Sequence, residues 1–133
     1  MFLAFLIIIP LITFIFYIRA ISRTLAAISE PYRTQSPGMA WLLLIPIFNV
    51  IWFFFLLRAI KDGFAQMYRD GLTPKEIDSG YNYGIGMGCC WAASFIPQFI
   101  FIALIPMFVF SILHWNKLNS ARRAISKQQN YSN

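Results

Sequence analysis

From Ser79 to Asn116 the chain runs for 38 residues without an Asp, Glu, Lys or Arg. About 20 apolar residues suffice to cross a bilayer, so a run of this length provides for two short crossings or one long bent one. Two further stretches, Phe2 to Ile18 and Gly38 to Leu57, are equally free of charge. Only 12% of the residues are charged, about half the share expected of a soluble domain. The three blocks hold almost all the apolar content and leave no segment that could fold as a separate water-soluble domain. The expectation is therefore an all-α, integral membrane four-helix bundle with short interfacial helical segments. Its membrane domain covers 1–118, followed by a polar, basic and mobile tail over 119–133.

Proline divides the longest block. Pro97 removes a backbone donor and biases Ile96 away from helical geometry, which places helices at about 2–19, 39–58, 80–96 and 99–116. A three-span arrangement with one long, kinked third helix is the alternative. The opening MFLAFLIIIPLITFIFYIR lacks the basic start and small-residue cleavage site of a signal peptide, so it is expected to be retained as the first span. Basic residues fall in three groups: Arg19, Arg23 and Arg33; Arg58, Lys61, Arg69 and Lys75; and Lys117, Arg122, Arg123 and Lys127. Under either arrangement the positive-inside rule puts the C-terminus in the cytoplasm. A charge of +6 fits attraction to an anionic leaflet and needs no nucleic-acid partner.

The connections carry helical patterns of their own. Ile21, Leu25 and Ile28 recur at helical spacing, as do Ile60, Phe64 and Met67, and Arg58 stands four residues before Asp62. These patterns predict that the first helix continues along the interface to Pro31 and that the second continues to Gly71. Thr73-Pro74-Lys75-Glu76 has the order of a capping box, which predicts a third helix beginning outside the membrane.

Gly80, Gly84, Gly88 and Ala92 fall on every fourth residue. Small residues at this spacing let two backbones approach closely where water supplies no driving force, so the stripe is expected to pack against another helix of the chain or across a dimer. The same glycines lack the preceding strand of a phosphate-binding loop. Cys89 and Cys90 are adjacent and have no second thiol pair with which to exchange. His114, the one histidine, stands beside Trp115 and Lys117 and fits an interfacial belt; no set of metal or haem ligands accompanies it. All five acidic residues lie in connections, which disfavours an ion-coupled carrier. No cofactor is expected, and no nucleophile–base constellation is visible.

The polar features inside the second block are Pro46, Asn49 and Trp52, with Trp91 in the third. Pro46 and Asn49, three apart, would share one face of the second helix, so that a kink and an amide point toward one neighbour. They belong to a longer pattern: Ser29-Glu-Pro-Tyr-Arg33, Ser36-Pro-Gly38, then Trp41-Leu-Leu-Leu-Ile-Pro-Ile-Phe-Asn49 and Trp52. This pattern resembles a family of small, uncharacterised bacterial inner-membrane proteins in which a Pro-Gly precedes a Trp-Leu-x-Leu-Ile-Pro-x-Phe-Asn-x-x-Trp helix. The family's last helix ends in Tyr-Trp-x-Lys, and His114 stands here in place of that tyrosine. The resemblance implies four helices and a bacterial inner membrane, and it brings no activity with it. The expected function is that of a non-enzymatic accessory or interaction subunit acting through helix packing, with a membrane-protein partner or a second copy. The alternative is a protein that binds or transports a lipid or other amphipathic small molecule around Asn49, Trp52 and Trp91.

Overall fold

The computed structural model describes residues 2–45 and 47–131. The chain is all-helical. Four α-helices, α1 (Phe2–Ala27), α2 (Phe48–Arg69), α3 (Tyr81–Ala93) and α4 (Ile100–Tyr131), are joined by 3₁₀ segments at Glu30–Tyr32, Pro37–Leu44 and Pro97–Phe99. Two stretches, Ile8–Ala27 and Pro97–Gln128, are long and apolar enough to cross a membrane. Only 33% and 11% of their most apolar windows are buried inside the protein. The core helix of a soluble domain would bury far more.

Helix α1 extends beyond its apolar run and stops where the sequence supplies stop signals. Pro31 cannot continue it, and the Arg33 guanidinium folds back on its end. Arg33 Nε donates to the Leu25 carbonyl at 3.0 Å, and its terminal nitrogen donates to Ala26 at 3.0 Å and Ile28 at 2.9 Å. The last carbonyls of a helix lack their usual intrahelical donors, and a cation is favoured beside them.

The second element departs from expectation. Rather than one helix over about 39–58, the chain forms an eight-residue 3₁₀ segment, turns at Ile45–Ile47, and starts an α-helix only at Phe48. Ile45 precedes a proline, which disfavours the helical region, and is extended at φ −80° and ψ 113°. Ile47 follows at φ +69°, a conformation that β-branched residues rarely adopt. Asn49 is therefore in the first turn of α2. Pro46 itself, and the kink expected there, lie outside the described residues.

At the other break the expectation holds. Residues 94–99 separate α3 from α4 around Pro97, while α4 runs through Pro106 without ending. Two boundaries shift. Thr73 caps nothing, because Glu76 to Gly80 is not helical and α3 begins at Tyr81 behind a left-handed Gly80, φ +68°. Tertiary contacts account for this: the Asp78 carboxylate accepts the Gly80 N–H at 2.8 Å and the Lys117 ammonium at 2.7 Å. A capping box contributes only about 1 kcal/mol. Nor is the expected mobile tail seen as far as residue 131, since α4 continues through it with Ala121 and Ile125 buried.

The core lies at the end of the bundle where the charges are. Tyr17, Ile18, Ile21, Leu25 and Ile28 of the first helix and its exit meet Phe53, Leu56, Ile60, Phe64 and Met67 of α2, and Leu118, Ala121 and Ile125 of α4. The amphipathic patterns read from the connections are thus core stripes. Water drives their burial by about 1.5–3 kcal/mol for a large side chain. The opposite end is apolar and open: Ile9, Leu11 and Phe16 of α1, Ile51 and Phe55 of α2, and Phe101, Ile105 and Phe108 of α4 are all exposed.

Three glycines of the stripe set the helix spacing. A Cβ on Gly84 would meet Leu57 Cδ2 at 2.5 Å, one on Gly88 would meet Phe54 Cζ at 2.7 Å, and one on Gly80 would meet Lys117 Cβ at 2.6 Å. The stripe therefore packs α3 against α2 and α4 of the same chain. Ala92, its fourth member, is exposed.

Replacing Gly84 with leucine forces these helices apart and should destabilise the fold by about 1–3 kcal/mol; a thermal unfolding midpoint in detergent equal to wild type would contradict this. A second expectation concerns pH. The hydrogen bond from Lys117, and then that from the Gly80 N–H, hold the Asp78 carboxyl below its ordinary value of 3.8. A depressed folded value adds stability that is present above the ordinary carboxylate pKa and lost as pH falls through the lowered one. Exposed pairs contribute at most about 1 kcal/mol, so acid titration of wild type and Asp78→Asn should reveal a small stability difference that vanishes at low pH.

Candidate functional site

The residues singled out in the second block do not converge on one pocket. Trp52 lies on the side of α2 that meets the 3₁₀ segment: its indole N–H donates to the Met39 carbonyl at 2.9 Å, and its ring stacks on Phe48 at 5.4 Å. That bond ties the two arms of the Ile45–Ile47 turn together. Trp91, on α3, packs edge-on against Phe14 of α1 and Phe53 of α2. Consecutive helix positions point about 100° apart, so Trp52 and Phe53 address different neighbours and the two tryptophans serve separate contacts. Asn49 stands beside the turn, its backbone N–H donating to the Ile45 carbonyl at 3.0 Å. Its side-chain oxygen is buried and has no hydrogen-bond partner.

The turn is exposed in the apolar half. Ile45 is 48% and Ile47 is 85% exposed, and neither residue is helical. An irregular turn with large apolar side chains, a positive-φ isoleucine and an unsatisfied amide is the feature for which internal packing gives the poorest account.

A second polar feature was not expected from the sequence. His114 is fully buried rather than interfacial, with Nδ1 2.5 Å from the hydroxyl of Tyr17, which is also buried. Phe53 and Trp115 pack around the pair, and the imidazole edge faces Gly84. If the imidazole proton is on Nε2, the tyrosine donates to Nδ1 and the Nε2–H lacks an acceptor. If it is on Nδ1, that N–H donates to the tyrosine oxygen and Nε2 lacks a donor. Either tautomer leaves one ring nitrogen unsatisfied, so a titratable group stands inside the bundle where none was anticipated. The spacing of His114, Leu118, Ala121 and Ile125, every third or fourth residue, is the signal that could have placed His114 on the buried stripe.

The third feature is a groove of about 700 Å³ between the 73–78 segment and the second half of α4. Lys75, Lys117 and Lys127, with Ser120, face it at the charged end, and Leu113 lies toward the apolar end. Thr73 also lines it, 3% exposed and with a hydroxyl that finds no partner. Such a volume suits a small-molecule site. Cys89 is exposed on α3 and, like Cys90, is a free thiol. Among the described residues no three His, Cys, Asp or Glu side chains group as metal ligands.

No protein family, no characterised protein and no solved structure matches this chain.

Replacing Tyr17 with phenylalanine removes the histidine's one partner without changing the packing volume appreciably. A buried polar group left unpaired costs about 1–3 kcal/mol, so Tyr17→Phe should lower stability by that amount and Tyr17→Phe/His114→Leu should recover part of it. Equal stability of wild type and Tyr17→Phe would show that the hydrogen bond contributes nothing.

Proposed function

We propose that this chain is a non-enzymatic integral membrane protein of the bacterial inner membrane, with its C-terminus in the cytoplasm, that works as an accessory subunit. Its contact element is the turn at Ile45–Asn49, not the glycine stripe, which is already occupied by α2 and α4. The observation that carries this reading is the exposure of a non-helical turn in the apolar half. In hydrocarbon, irregular backbone is tolerated only where protein covers it or it lines a wet cavity, so the turn calls for a cover. A helix of another membrane protein, or of a second copy, meets that need, and an amide beside the seam supplies the polar contact such interfaces favour. The chain's resemblance to small inner-membrane proteins is strongest over these same residues, Trp41 to Trp52.

Binding of a lipid or other amphipath is the second reading, favoured by the groove beside α4 with its lysines and the unpartnered Thr73 hydroxyl. A photo-crosslinking residue placed at Ile47 separates the two. In native membranes it should yield a discrete protein adduct, and Asn49→Leu should weaken co-purification of that protein about threefold, from about 0.6 kcal/mol for an interhelical hydrogen bond in a membrane. Lipid adducts alone at Ile47, with phospholipid retained by wild type and lost from Lys75→Ala/Lys127→Ala, would favour amphipath binding.

A further inference from the structure

Every basic and acidic residue of the chain lies beyond the apolar runs, and side-chain neighbours bring those positions to one end of the bundle. Lys117 pairs with Asp78 at 2.7 Å and Gln128 Nε2 donates to the Leu72 carbonyl at 2.6 Å, joining α4 to the second connection. Leu118 and Ala121 of α4 share the core cluster with Ile18 and Ile21 of α1. The first connection joins the same end: a Cβ on Gly63 of α2 would meet Ile28 Cδ1 at 2.8 Å and the Tyr32 carbonyl at 3.4 Å, and Asp70 stands beside the Tyr32 hydroxyl. The two connections on either side of the second block are therefore in contact. Had that block crossed a bilayer once, its connections would be about 30 Å apart on opposite faces.

Its dimensions agree. The 3₁₀ segment Pro37–Leu44 has 8 residues, about 16 Å at a rise of roughly 2.0 Å per residue. The apolar part of α2, from Phe48 to Leu57, runs ten residues, about 15 Å at roughly 1.5 Å each. Two arms of equal length, tied by the Trp52 to Met39 hydrogen bond, each reach about half the thickness of the hydrocarbon core.

We propose that Pro37–Leu57 is a re-entrant hairpin, entering and leaving one leaflet with its Ile45–Ile47 turn near the midplane, so that all 11 Lys and Arg residues meet a single anionic membrane face. The hairpin rests on the membrane reading above but not on what the turn contacts. It replaces the division of basic residues between two faces, 8 against 3, that four full spans would require. A collar with 11 basic and five acidic residues is complementary to anionic headgroups, and a turn held at the midplane is covered by protein there or not at all.

Single cysteines test this in a Cys89→Ser/Cys90→Ser background, using a membrane-impermeant maleimide on right-side-out and inside-out vesicles. Thr34→Cys, Lys75→Cys and Ser126→Cys should be labelled from the same face, and Ile47→Cys from neither. Labelling of Thr34→Cys and Lys75→Cys from opposite faces, or of Ile47→Cys from the face opposite Lys75→Cys, would overturn the hairpin while leaving the membrane reading intact. Release of the chain by alkaline carbonate would overturn the membrane reading and the hairpin with it. If the cysteine-free background fails to accumulate, protease sites inserted at Thr34 and Lys75 in the native chain report the same sides.

Discussion

The exclusion of charge from one end of the bundle is the constraint on which the rest of the structure depends. At the charged end, water drives apolar side chains together, and the stripes of α1, α2 and α4 close around Ile21, Phe64 and Leu118. At the other end side chains such as Phe101 and Ile105 remain uncovered. One set of helices thus carries both a packed core and an open apolar surface.

Where α3 meets α2 and α4 the helices approach closely, and small residues make that possible. Gly84 lets Leu57 and the His114 ring come against the backbone of α3, and the same closeness brings His114 within reach of Tyr17 on α1. A larger residue at 84 would separate α3 from both neighbours at once. The His114–Tyr17 pair therefore depends on the glycine stripe, although neither residue belongs to it. Its incomplete satisfaction makes it a polar point in the bundle that packing alone does not explain.

The helices themselves were largely legible. The break at Pro97 and the repeats Ile21/Leu25/Ile28 and Ile60/Phe64/Met67 each correspond to a boundary or a buried stripe, because helical periodicity is a local property of the chain; the charge-free run Gly38–Leu57 instead holds a 3₁₀ segment and the start of α2. The capping-box order at Thr73 does not start a helix, since the segment before α3 is tied instead to Lys117, 39 residues from Asp78. His114 was read from its neighbours Trp115 and Lys117, whereas its burial comes from Tyr17, 97 residues away. The candidate set Asn49, Trp52 and Trp91 was drawn together by shared polarity within apolar runs, but α2 turns Trp52 and Phe53 toward different partners.

What the sequence by itself determined is the helical class, the location of the apolar runs and the small-residue stripe, because each follows from spacing along a single helix and from the absence of charge. Tertiary structure alone decided that the stripe faces its own chain and that His114 is enclosed. It also decided that Pro37–Leu44 and α2 are separate elements and that the first connection returns to α2 at Gly63. The physical reason is that these depend on which surfaces meet across long separations in sequence. A proline in an apolar run bends a helix or ends it according to what stands ready to pack against the arm that follows.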